Sequence, residues 1–328
     1  MKKWTKYQLE NKHFTLPILS FPIIQKLGVT IQDFVTDSNL LAEGIKTLSE
    51  YPVSACITAM DLSVEAEALG ATAQYEQDEV PNIVGIKVQT EEDIDKLEKN
   101  PLQNSRLKIF TEAVEKATNL IQSKFIFGGM IGPYSLAGRL MGMTELMINC
   151  YEEPDFVHKL LNKCTQTLLD YLNEYKKSGA DGVLIAEPAA GLLSPDFCEE
   201  FSSQYVRQLA AESSGNDFAL VYHNCGNVVP LASTIASLGA DAYHFGNAVD
   251  IEDMLQSMPK DKPVMGNINP ILFKDGTPED IRKHTLDLLT RCVKYDNFVI
   301  STGCDIPATA KWENIEEYFE CVSGFYRK

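Results

Sequence analysis

Seven short apolar runs, separated by longer amphipathic stretches, are the feature that most limits what this chain can become. They are VSACITAM (53–60), FIFGGMI (125–131), GVLIAEP (182–188), FALVYHNC (218–225), DAYHFGN (241–247), PVMGNINP (263–270) and NFVISTG (297–303), and each ends in polar or glycine-rich residues. Runs of this length without strict alternation are what parallel strands covered on both faces require. Between them, Ser194-Pro195 and Thr277-Pro278 each offer an N-cap followed by proline at the first helical position, with Asp280 three residues after Thr277. Gly-Ala-Asp occurs at 179–181 and again at 239–241, each time between a helix and a strand, where glycine can take the left-handed position that ends a helix. The copies lie 60 residues apart, the length of two strand-helix units of a barrel. No Gly-x-Gly-x-x-Gly turn and no Walker loop supports the alternative, a doubly wound nucleotide-binding sheet. The pattern predicts an α/β fold, a (β/α)8 TIM barrel with an N-terminal extension, as a single domain over 1–328.

Charge and the chain's start narrow the function classes. With 46 acidic against 29 basic residues, the formal charge of −17 repels phosphate backbones and anionic membranes, so neither nucleic acid nor membrane is an expected partner. The two lysines at the start are not followed by the apolar core of a secretory signal, and Pro17, Pro22, Gln25 and Lys26 interrupt the nearest candidate, LPILSFPIIQKLGV. A cytoplasmic location is the expectation. Eight cysteines in such a chain are core residues, metal ligands or nucleophiles rather than a disulfide framework, and most should be core.

In a barrel of this kind function sits at the C-terminal ends of the strands. The polar residues there are Asp61, Glu187, His223 with Cys225, His244 with Asn247, Asn267 with Asn269, and Cys304 with Asp305. His223 and Cys225 are two apart on a strand-like segment, so their side chains share a side, as a common ion requires. A chance His-x-Cys pair in this composition has a probability of roughly 0.1, so the tripeptide alone says little. Joined to Cys304 at another strand end, it gives the borderline and soft donors expected of zinc with one open position. His13 lies in the polar leader, and His158 and His284 fall within amphipathic helices, where solvation or helix packing accounts for them. Two thiolates and an imidazole leave zinc a mild Lewis acid, poor at making hydroxide but suited to holding a thiol as thiolate. The chemistry to expect is attack by that thiolate on an alkyl group carried by a donor cofactor.

Six blocks in order, MDLSVEAEALGA (60–71), IGPYSLAGRLMG (131–142), GADGVLIAEP (179–188), YHNCGN (222–227), GNINP (266–270) and STGCDIPATAKWEN (301–314), resemble the uroporphyrinogen decarboxylase superfamily, and within it the zinc-dependent methylcobamide:coenzyme M methyltransferases. The resemblance implies the same barrel and carries the zinc-binding role to His223, Cys225 and Cys304. It also implies a methylated corrinoid as methyl donor, presented by a separate corrinoid protein, and a small thiol of the coenzyme M kind as acceptor. Asn267, Asn269 and His244 are then the candidate cofactor contacts, His244 being open also as a support for a metal ligand or a substrate contact, and Asp61 and Glu187 the candidate catalytic carboxylates, with Glu65 a further pocket candidate. Glu187 has a second reading, as the partner of a helix terminus. Asp305 and Asn224 are candidates for orienting the metal ligands.

The decarboxylase branch is the rival. Asp61 matches the aspartate with which the decarboxylases hold their tetrapyrrole, and a metal-free decarboxylase built on it is the alternative. Their arginine-rich N-terminal segment is absent, since no arginine precedes Arg106, and Arg139 stands where they carry a tyrosine. Some of the methyltransferases place a carboxylate near HFGNAVD, where it can be a fourth zinc ligand; here the local residues are Gly246 and Asn247. A zinc- and corrinoid-binding protein without turnover is the third reading.

Overall fold

In the computed structural model, which describes residues 1–103, 105–215 and 217–327, all seven apolar runs are strands. They are β1 (Ala55–Ile57), β4 (Phe125–Ile131), β5 (Gly182–Ala186), β6 (Ala219–Asn224), β7 (Ala242–Phe245), β8 (Val264–Ile268) and β9 (Phe298–Thr302). They pair in parallel, in the order β1-β4-β5-β6-β7-β8-β9, as one curled sheet. Helices on the outside cover the face opposite the barrel interior. Not anticipated from the sequence is an antiparallel hairpin, β2 (Thr72–Glu76) and β3 (Glu79–Val84), whose polar, largely exposed residues carry no apolar run to announce it.

The seam between β1 and β9 is occupied by the N-terminal segment. Thr15 bridges Val53 in parallel, with Thr15 N–H donating to Pro52 O at 3.2 Å and Ser54 N–H to Thr15 O at 2.7 Å. On the other side Ile18 N–H donates to Thr302 Oγ1 at 3.1 Å, and Ser301 Oγ–H donates to Leu16 O at 2.7 Å. Part of the expected extension is therefore a stave of the barrel. Leu16 and Ile18 enter the interior, and Pro17 between them, which has no N–H, falls on the other face by strand alternation.

Period-two alternation fills the interior. Phe127, Leu184 and Ala186, Ala219 and Val221, Ala242, Met265 and Val299 pack there with Leu16 and Ile18. Helix Lys3–Glu10 seals one end by placing Trp4, fully buried, with its ring 4.9 Å from that of Phe127. Alanines 55, 219 and 242 in the same cluster leave the room an indole needs. Both Gly-Ala-Asp copies do one job. Gly179 and Gly239 take φ of 85° and 77°, the left-handed helix-ending conformation, while Asp181 and Asp241 accept from Ile126 N–H and Leu220 N–H on neighbouring strands at 2.9 and 3.0 Å. The Thr277 capping box forms at the start of helix Pro278–Cys292 as its sequence implies. Among the described residues no helix is long and apolar enough to cross a membrane.

Truncating Trp4 to alanine removes the plug and leaves a cavity, which costs about 3–5 kcal/mol for a large buried aromatic. Urea denaturation followed by circular dichroism should show Trp4→Ala destabilised by that amount. A loss under about 1 kcal/mol would mean that the end of the barrel collapses around the gap.

Candidate metal centre

Parallel register places the site. His223 on β6 lies directly opposite His244 on β7, and each continues the inward row of its strand, after Ala219 and Val221 and after Ala242 respectively. Ser301 extends the inward row of β9 after Val299 in the same way. Three polar residues thus cap the hydrophobic interior at the C-terminal ends of neighbouring strands. Cys225 follows β6 by one residue and Cys304 follows β9 by two.

The ligand atoms of His223, Cys225 and Cys304 lie within 4.8 Å of one another. Of the eight cysteines, these two are partly exposed and the other six are buried. His223 Nε2 is buried and has no hydrogen-bond partner, although His223 Nδ1 is engaged by His244 Nδ1 at 2.8 Å and by the His244 carbonyl at 3.3 Å. An unpartnered buried imidazole nitrogen beside two thiols is costly unless an ion takes its lone pair. The donors fit zinc in kind and number, with a position left for a substrate. The Cys225 thiol is held well below its ordinary range first by its contact with Cys304 and then by the adjacent His223, and Cys304 is pushed up by that same contact and by burial. Burial, and then the adjacent His223, hold His244 well below the usual imidazole range.

The backbone around the cluster is tightly drawn. A Cβ on Gly246 would fall 2.5 Å from Cys225 Cα, so only glycine lets the turn after β7 pass that close to the ligand. Asn224 anchors the Cys225 turn, donating from Nδ2 to Glu187 O at 2.5 Å and accepting from Gly226 N–H at 2.8 Å. Next to Cys304, Asp305 accepts from Ser20 Oγ–H at 3.1 Å, and Ser20 Oγ in turn accepts from Met60 N–H at 3.2 Å.

The remaining candidates are held in local roles. Glu187 is fully buried and points the other way from Leu184 and Ala186, toward the helices. Its Oε2 accepts from Tyr134 N–H at 3.0 Å and its Oε1 from Ser135 N–H at 2.6 Å and from Ser135 Oγ–H, at the start of helix Pro133–Met141. This is the helix-terminus role, although burial pushes the carboxyl up to about 7. Asp61 forms an ion pair with Arg106 and accepts from Ser63 N–H at 3.0 Å and Ser63 Oγ–H at 2.6 Å. Arg106 also pairs with Glu67 at 2.6 Å. The amide of Asn267 donates to Gly246 O and Val249 O at 3.0 and 2.8 Å, and Asn269 accepts from Ile271 N–H at 3.0 Å. Sequence reasoning missed Ser301, Leu16 and Arg106. Ser301 was visible as the next inward position of β9, whereas a backbone carbonyl and a distant arginine have no local signal.

A cleft of about 500 Å3 opens at the strand ends of β4 and β5, lined by Leu62, Ile83, Ile131, Met143, Leu192 and Arg139 among others. Arg139 donates to Asn82 Oδ1 at 2.7 Å.

The uroporphyrinogen decarboxylase (URO-D) family model matches residues 22–325, and the chain belongs to that family. Its relatives include both methyltransferases and decarboxylases. It is 26% identical over 274 residues to the methylcobamide:CoM methyltransferase MtbA of Methanosarcina mazei, covering 81% of this chain and 78% of the relative. It is also 26% identical over 292 residues to the uroporphyrinogen decarboxylase of Coxiella burnetii, covering 86% and 80%. Among solved structures, a methyltransferase from Methanosarcina mazei superposes with a TM-score of 0.87 at 21% identity, over 99% of this chain and 100% of that one, and so shares the fold. A B12-independent methionine synthase from Shewanella follows the same fold more loosely, with a TM-score of 0.61 at 14% identity over 88% and 87%.

Glu65, below the mouth, is buried with Oε1 accepting from Ile131 N–H at 2.9 Å and Oε2 unpartnered, and burial pushes it up to about 7. The folded chain then binds a proton that the unfolded chain releases between about pH 4.5 and 7, so stability falls as pH rises through that window. Replacing Glu65 with glutamine removes this dependence. In urea melts, Glu65→Gln should gain about 2–3 kcal/mol on wild type between pH 5 and pH 8. An unchanged difference across the two pH values would show that the carboxyl ionises normally.

Proposed function

We propose that this chain is a zinc-dependent methyltransferase that moves a methyl group from a methylated corrinoid to a small thiol of the coenzyme M class. The observation that carries this reading is the convergence of His223, Cys225 and Cys304 around an imidazole nitrogen with no hydrogen-bond partner among the described residues. Zinc held by these three supplies the Lewis acidity that keeps an acceptor thiol deprotonated at neutral pH. The transfer makes a carbon–sulfur bond and breaks the carbon–cobalt bond of the donor, whose electron pair stays on cobalt, so the thiol proton must leave first. The chain's own part is to hold the ligands and exclude water beneath them. The interior under His223 and His244 is packed with Val221, Ala242, Met265 and Val299, which leaves the mouth as the route of approach. There the aliphatic cleft beside Arg139 suits a flat macrocycle delivered by a separate corrinoid protein. The similarity to MtbA, a methylcobamide:CoM methyltransferase, supports this donor and acceptor.

A metal-free decarboxylase using Asp61 is supported by relatives of equal identity. It would need Asp61 free to meet a pyrrole, and both oxygens of that carboxylate are already taken by Arg106 and Ser63.

Elemental analysis of protein purified without added zinc or a chelating tag should find about one zinc per chain. Cys225→Ser and Cys304→Ser should each lose the metal, and with it at least about 100-fold of methyl transfer from methylcobalamin to a panel of small thiols. Wild-type occupancy in either variant would sink the ligand assignment. Chelator-resistant decarboxylation of uroporphyrinogen would restore the rival, and zinc binding with no transfer to any thiol would leave a binding protein.

A further inference from the structure

Behind the ligand cluster a run of hydrogen bonds crosses the barrel from the N-terminal stave to His223. Its direction can be read atom by atom. Ser301 Oγ lies 2.7 Å from the carbonyl oxygen of Leu16, which can only accept, so the hydroxyl hydrogen points at Leu16. The lone pairs of Ser301 Oγ then face His244 Nε2 at 2.8 Å, and that nitrogen must be the donor. A neutral imidazole carries one N–H, so His244 Nδ1 is left as an acceptor. Opposite it, at 2.8 Å, is His223 Nδ1, which also lies 3.3 Å from the carbonyl oxygen of His244. Both neighbours accept, so the hydrogen of His223 sits on Nδ1. What remains on His223 is Nε2, the buried nitrogen for which the protein supplies no partner.

We propose that Leu16 O, Ser301 and His244 form a relay that locks His223 in its Nδ1–H tautomer and so presents the Nε2 lone pair to zinc. This rests on the zinc reading above. His244 is in this account a positioning residue: fully buried on β7, one strand from the Cys225 turn and two from the Cys304 turn, it acts on the ion through His223. A partner of this kind on a metal-bound histidine fixes ring orientation and raises the basicity of the coordinating nitrogen, and its loss typically weakens the metal 10–100-fold.

The test compares wild type with His244→Leu, which leaves His223 only the longer contact to the backbone carbonyl of residue 244 and no side-chain acceptor, and His244→Asn, whose Oδ1 can stand near the position of the lost Nδ1. Ser301→Ala, the gentler change, guards against misfolding, and circular dichroism of each metal-free variant checks the fold. Zinc affinity is read by competition with a chromophoric chelator, and the coordination sphere by the visible spectrum of the Co2+-loaded protein. His244→Leu should bind zinc about 10–100-fold more weakly with a shifted Co2+ spectrum, His244→Asn should recover most of the affinity, and Ser301→Ala should fall between. A merely structural role for His244 would lower thermal stability in both His244 variants without separating their affinities, and would overturn the proposal. In zinc-loaded wild type, nitrogen-15 NMR of the histidines should show hydrogen on His223 Nδ1 and on His244 Nε2. The opposite tautomers overturn the relay even if zinc is bound. A wild-type chain that takes up neither ion overturns the zinc reading and this inference together, whereas wild-type affinity in His244→Leu overturns the relay alone.

Discussion

Strands β6 and β7 pair so that His223 faces His244, and the candidate site depends on that register. A slip of one residue would turn both imidazoles into the helical layer and bring Tyr222 and Phe245 into the barrel, where the interior row of alanine and valine has no room for them. Because the interior alternates with period two, the rows that pack the barrel also decide which polar groups meet at its mouth. The hydrophobic core therefore specifies the chemistry as well as the fold. Met265 and Val299 set the height at which Ser301 stands just as they fill space below it.

Much of this was legible in the chain. All seven apolar runs are strands, and the polar residues following them name His223, Cys225 and Cys304 before any geometry is known. Glu187 stood in the sequence between a catalytic role and that of a partner for a helix terminus. Leu184 and Ala186 face inward, so alternation turns the next residue outward, to the amides of Tyr134 and Ser135; Gly132, whose Cβ would collide with that carboxylate, was a second sign. The N-terminal stave was hidden for a different reason. Two prolines and a run of mixed residues look like an extension, and only the pairing of Thr15 with Val53 and of Leu16 and Ile18 with β9 reveals its place. Asp61 was visible as a mouth residue, but its capture by Arg106, 45 residues away, was not.

The family contains both methyltransferases and decarboxylases at the same distance from this chain, so identity alone does not separate them. Local electrostatics does more. An aspartate already paired with arginine has little to offer a cationic intermediate, while two adjacent thiols and an imidazole bring together the donors that suit zinc. The departure at Gly246 fits the same picture, since a side chain there would displace Cys225 rather than complete its coordination.

The seam has a consequence in time. Leu16 meets Ser301 across 285 residues of sequence, and Ser20 meets Asp305 across the same interval. During synthesis the stave can meet the start of β1 early, at Val53, but the side that faces β9 must wait unpaired while β4 through β8 are laid down. His223 and Cys225 are made before Cys304, so under the proposed zinc reading an ion that arrived early would find two of its three ligands and would exchange more readily than in the finished site. Only when β9 closes against the first residues does the third ligand arrive, so tight retention of metal would report that translation has run to its last strand.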